Sequence, residues 1–268
     1  MPKGGIFAAA LLALGLATGA ANAATCGNTS AGFDNWKQQM AAEAARAGVG
    51  QRGLAALQGA RYSQGTINAD RGQKSFKYSL EKFMQVRGAT TIVAKGKKLK
   101  AQNAKLFANL EARHGVPAGP LIAIWGMETA FGGFMGDTNL ISATATLAYD
   151  CRRSDFFTGH LLAALELVDR GVVSANSVGA KHGELGQTQF LPGSILRYGV
   201  DGDGNGRIDL VGSTADALAS TANFLRAHGW RPGAGYQPGQ PNYRAIQGWN
   251  AATVYQQAIA IMAKQIDG

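Results

Sequence analysis

Residues 117–133 read PAGPLIAIWGMETAFGG and place one ionisable side chain, Glu128, at the end of a run that is otherwise apolar or glycine. Burial disfavours the charged form of a carboxyl group, so a glutamate in this setting is expected to hold a proton near neutral pH, as a general acid must. Pro117 and Pro120 punctuate the start, and the pattern predicts a buried helix beginning near Pro120. Ile124 and Trp125 precede Glu128 by four and three residues and share its face, while Gly132 and Gly133 are placed to end the helix and leave room for a ligand. The plain alternative is a glutamate that caps a neighbouring backbone group or pairs with an arginine.

A second segment, residues 186–192, reads GQTQFLP. Gln187, Thr188 and Gln189 offer neutral donors and acceptors beside an apolar wall of Phe190 and Leu191, a combination suited to the N-acetyl group of a sugar. Glu184 lies just before it. Were Glu184 to approach Glu128, the two would form the carboxyl pair of a lysozyme-like hydrolase, one protonating the leaving oxygen and the other acting as nucleophile or base. A loop glutamate that accepts backbone N–H bonds is the commoner outcome. A third segment, residues 201–209, DGDGNGRID, offers oxygen ligands at Asp201, Asp203, Asn205 and Asp209, with Gly206 at the sixth position as in an EF-hand loop. The twelfth position is Gly212, so the bidentate acid is missing. The loop is read either as a weak structural Ca2+ site or as a turn.

WGMETAFG around Glu128, YDCRR at 149–153, GQTQFLP at 186–192 and TANFLRAHGW at 221–230 follow one another in a characteristic order and spacing. The chain resembles the periplasmic lytic murein transglycosylases of the membrane-bound lytic transglycosylase B type, over residues 33 to 266. That resemblance implies a mainly α protein with a lysozyme-like helical catalytic core and small β or loop additions. It implies one catalytic unit over residues 24–268, with a core at about 116–230 and N- and C-terminal helical parts packed on it. The implied reaction cleaves the β-1,4 bond between N-acetylmuramic acid and N-acetylglucosamine in peptidoglycan without water, forming 1,6-anhydromuramyl ends, with no cofactor required. Glu128 matches the family's acid and base, and Gln189 the glutamine that contacts the sugar at the cleavage point. Arg152 and Arg153 match a basic pair that holds substrate carboxylates through forked hydrogen bonds. WNAATVY, at 249–255, resembles a segment usually beginning Tyr-Asn, which makes Asn250 and Tyr255 cleft residues and Trp249 a departure. Ala180 is a second departure, since some relatives carry a serine there. Two other readings stay open: a muramidase using Glu128 and Glu184, and a catalytically silent wall-binding scaffold.

The elements that must carry these residues are helical. Phe33, Trp36, Met40, Ala44 and Ala47 form an amphipathic stripe stopped by Gly48; Leu80, Phe83 and Met84 begin another; residues 92–110 form a longer one. Residues 161–168 are read as a helix ending at Gly171, 215–228 as one ending at Gly229, and 251–266 as the last. No useful strand alternation is present, so any sheet is confined to the loops around 175–189 or 233–243, and 232–241 is the clearest loop.

Residues 1–23 read as a signal peptide: Lys3, an apolar stretch at 6–16, and Ala21-Asn22-Ala23 as the cleavage site. The apolar core is short for a membrane span. Ala23, Ala24 and Thr25 do not give a lipoprotein pattern before Cys26, so no lipid anchor or stable membrane insertion is expected and the location is periplasmic. Removing Lys3 with the leader leaves 25 basic and 17 acidic residues, a formal +8. Such a protein is drawn to an acidic polymer in a salt-sensitive way. Peptidoglycan fits the exported address better than nucleic acid, because the densest basic run, Lys95, Lys97, Lys98 and Lys100, lies on the exposed side of a helix. Cys26 and Cys151 both survive signal removal, and in an oxidising compartment they most simply form one bridge, with two free thiols as the alternative. A monomer is the default.

Overall fold

A computed structural model describes residues 24–72 and 77–268; the leader read at 1–23 lies outside the described residues. Within them the chain forms thirteen α-helices and one two-stranded sheet. In order these are α1 (Phe33–Arg46), α2 (Gln51–Gln58), α3 (Gln64–Gly72), α4 (Leu80–Val86), α5 (Ala89–Gln102), α6 (Ala104–His114), α7 (Ala118–Thr129), β1 (Thr138–Asn139), α8 (Leu140–Tyr149), α9 (Ser154–Asp169), β2 (Val178–Gly179), α10 (Pro192–Tyr198), α11 (Thr214–Ala227), α12 (Tyr243–Trp249) and α13 (Thr253–Asp267). The mainly α reading holds.

Helix α7 is apolar on every side and is therefore central, with eleven of its twelve residues buried. Helices α5 and α13 pack along it, and small residues let them come close. A Cβ on Gly126 would meet Ile92 at 2.5 Å, and one on Gly119 would meet the Ala263 carbonyl at 2.4 Å. Helices α8 and α9 pack against each other on the other side of the molecule, with α2 laid on α9. Buried side chains from Phe33 in α1 to Ile266 in α13 join one contiguous hydrophobic cluster.

The helix carrying Glu128 starts two residues before the expected Pro120, since Pro117 serves as its extended N-cap. It ends at Thr129 through a left-handed Ala130, not at Gly132 or Gly133. The single helix expected over 92–110 is two, α5 and α6, broken at Asn103, whose φ of −114° and ψ of 33° leave the helical region. The sheet also differs from expectation. β2 falls inside 175–189, but its antiparallel partner β1 lies at 138–139, and 233–243 holds no strand. Cys26 is bonded to Cys151, which ties the first described residues to the corner between α8 and α9.

Candidate active site

Glu128 sits on the last turn of α7 and lines a cavity of about 410 Å³. Its Oε1 accepts from two donors on the C-terminal part of the chain: Trp249 Nε1 at 3.1 Å and the Tyr255 hydroxyl. An indole N–H can only donate, so Oε1 is the acceptor oxygen and a proton on this acid belongs on Oε2. Burial raises the pKa of Glu128 to about 7 against the lowering pull of those two hydrogen bonds; Glu184 raises it further and Arg87 lowers it. Near neutral pH the group therefore exists in both forms, which suits a residue that gives a proton and takes one back.

The end of α7 is locked to the 186–190 turn. Thr129 Oγ1 donates to the Gln187 carbonyl at 2.6 Å and accepts from Gly132 N–H at 2.9 Å. A Leu185–Phe190 bridge closes the turn around Gln189. Among the described residues three non-glycine residues have left-handed backbone, Ala130, Phe131 and Gln189, and all three lie at this junction. Such conformations are sterically costly and are concentrated where a site over-determines its backbone.

The GQTQF side chains divide. Gln189 lines the cavity, and its amide donates to the Gly186 carbonyl at 2.8 Å and the Met135 carbonyl at 3.3 Å. Gln187 and Thr188, read with it as candidate sugar contacts, turn inward instead. Gln187 bonds the Val211 carbonyl and Thr214, and Thr188 bonds Thr221 and the Ala217 carbonyl. Asn250 lines the cavity; Tyr255, expected there with it as a cleft residue, is 3% exposed and meets Glu128 from inside the core. Arg152 and Arg153 both bind Asp70 of α3, whose side chain is 2% exposed. Arg153 also reaches the cavity wall, with its guanidinium 4.7 Å from the Phe157 ring centroid, whereas Arg152 is not among the lining residues. The basic pair thus serves first to join α3 to the start of α9. Glu184 lines the same cavity, and burial raises its pKa while His182, its own backbone N–H and Arg153 lower it.

Trp249, Phe156, His182 and Arg87 were not read from the sequence as site residues. Trp249 stood out only as a departure at the start of its segment, yet its indole N–H donates to Glu128. Phe156, 53% exposed, follows the arginine pair and presents a ring to the cavity, a surface on which a sugar face can rest.

The acidic loop folds differently from the reading at 201–209. Asp201, Asp203 and Asp216 bring carboxylate oxygens within 4.8 Å of one another. Asp209 is outside that group of carboxylates; its side chain accepts from the backbone amides of Val211 and Gly212, and the Asn205 side chain accepts from Arg207 N–H. Asp216, fully buried on the first turn of α11, joins the carboxylate group from outside the 201–209 segment and accepts from the amides of Gly202, Asp203 and Asp209.

A helical fold with a sheltered carboxyl, Glu128, held by two donors in a cleft defines a class, and comparison names it: residues 32–240 match the Transglycosylase SLT domain, and the chain belongs to that family. It is 38% identical over 138 residues to the membrane-bound lytic murein transglycosylase B of Escherichia coli K12, a match spanning 48% of this chain and 38% of that protein's length. The structure is similar to SltB3 from Pseudomonas aeruginosa in complex with NAG-anhNAM-pentapeptide, with a TM-score of 0.81 and 30% identity over 88% of this chain and 80% of that one. Its fold also matches the Escherichia coli lytic transglycosylase Slt35 in complex with bulgecin A, with a TM-score of 0.77 and 23% identity over 91% and 96% of the two chains.

Proposed function

We propose that the protein is a peptidoglycan lytic transglycosylase of the cell envelope, acting in the periplasm on glycan strands. The observation that carries this reading is the asymmetric Glu128 carboxyl: one oxygen is held by Trp249 and Tyr255, the other is left to carry a proton into the cavity. Membership of the family and the muropeptide bound to SltB3 support the substrate class. Among the described residues no helix is long and apolar enough to cross a membrane.

In the proposed reaction Glu128 Oε2 protonates the oxygen joining N-acetylmuramic acid to N-acetylglucosamine, and the bond from that oxygen to C1 breaks. The muramyl N-acetyl group stabilises the charge at C1. Glu128, now a carboxylate, removes the proton of the C6 hydroxyl as its oxygen attacks C1, which gives the 1,6-anhydro end and restores the acid. The nucleophile belongs to the same sugar, so its effective concentration is high and no activated water is needed. Gln189, with its amide pinned by two carbonyls, and Asn250 flank the saccharide, and Phe156 supports one sugar face. No step needs a cofactor. A Ca2+ ion would be held by Asp201, Asp203 and Asp216 and would brace the loop before α11, away from the reaction.

Digestion of sacculi followed by mass spectrometry tests the proposal. The wild type is expected to release anhydromuramyl products, and Glu128→Gln to lose activity by about 10²–10⁴-fold or more, the scale of general acid–base catalysis. Reducing muramyl ends would instead indicate a hydrolase using Glu128 and Glu184. Full activity in Glu128→Gln would remove Glu128 from the chemistry.

A further inference from the structure

The turn at 180–185 carries two polar side chains for which the proposed reaction has no role. Its backbone is closely fixed: Ala180 N–H donates to the Glu184 carbonyl at 2.9 Å, and Gly183 N–H donates to the Ala180 carbonyl at 3.0 Å. A Cβ at position 179 would lie 2.1 Å from the Glu184 carbonyl oxygen, and Gly183 has φ of 83°, so both glycines are required for the shape. Held this way, His182 and Glu184 line the cavity that Glu128 lines. His182 Nε2 and Glu184 Oε2 are themselves buried and have no hydrogen-bond partner among the described residues. Arg153, on the same wall, already pairs with Asp70. A buried carboxylate oxygen without a donor weakens a fold.

We propose that Glu184 contacts substrate, the cavity-lining side of its carboxylate accepting a hydrogen bond from an N–H or O–H of the saccharide seated against Glu128. This inference rests on the reading of the cavity as a glycan site. Sugar hydroxyls and acetamido N–H groups are the neutral donors that such a site meets, and Arg153 on the same wall disfavours a cation in their place. Glu184 has a second effect through charge. Facing Glu128, it favours the protonated acid, while Arg153 and His182 temper Glu184 and the Tyr255, Trp249 and Arg87 groups act on Glu128 in the opposite sense.

Calorimetric titration of a soluble NAG-NAM tetrasaccharide into Glu128→Gln protein, which cannot turn over, isolates binding from chemistry. Adding Glu184→Ala is expected to raise Kd at least tenfold with Tm unchanged or higher, and Glu184→Gln, which keeps an acceptor oxygen, is expected to lose less. In the otherwise wild-type enzyme, Glu184→Gln should also move the alkaline limb of kcat/KM to lower pH. Equal Kd with and without Glu184 overturns the proposal alone. So does a fall in Tm with binding that Glu184→Gln fails to restore, since that marks a structural residue. Failure of the saccharide to bind even with Glu184 intact overturns both this proposal and the functional reading.

Discussion

The two oxygens of Glu128 have different neighbours, and pH dependence follows from that difference. The first step needs the protonated acid, so with a pKa raised to about 7 kcat/KM is expected to fall as pH rises through that value. Tyr255→Phe removes a hydrogen bond that favours the carboxylate; the alkaline limb should shift to higher pH while kcat drops roughly tenfold as the acid loses its aim. Stability has its own sign. The folded protein binds this proton more tightly than the unfolded chain, so Glu128 costs nothing below about pH 4.5 and progressively more up to about pH 7. Chemical denaturation should therefore find Glu128→Gln more stable than wild type at pH 8, by up to about 3 kcal/mol, with little difference at pH 4. Glu128 was legible because an acid in an apolar helix is conspicuous in one dimension. Its partners were not: Trp249 and Tyr255 are 121 and 127 residues away, and no local pattern links an indole to a carboxyl at that separation.

At the scale of elements, the loop before α11 shows how a motif can be half read. The spacing of Asp201, Asp203 and Gly206 was visible, but Asp216 belongs to the next helix and enters only because that helix begins beneath the loop. Its buried carboxylate accepts three backbone amides, so Asp216→Ala is expected to cost about 2–4 kcal/mol in urea unfolding, the cost of leaving several buried donors unpaired. Added Ca2+ should raise Tm in the wild type and not in Asp216→Ala, and a chelator should leave the initial lytic rate of folded enzyme unchanged. Helix periods were legible where one face is apolar, as in α1 and α11. The break at Asn103 was not, because apolar spacing continues on both sides of it. Strands of two residues such as β1 and β2 carry no alternation to detect.

Across the whole molecule, the predominance of helix could be read from periodicity and the Cys26–Cys151 bridge from the presence of just two cysteines, but the contacts between distant helices could not. The pairing of Cys26 with Cys151 spans 125 residues, and its reduction is expected to cost about 2–4 kcal/mol, seen as a lower Tm under dithiothreitol with lytic activity retained while the protein stays folded. The most consequential tie runs from the last two helices to the middle of the chain. Because Trp249 and Tyr255 reach back to Glu128, a nascent chain acquires its acid long before the groups that orient it. On the proposed function, a chain whose last helix has not yet docked carries its acid without the two donors that orient it, and its cutting power is expected to rise as that helix packs.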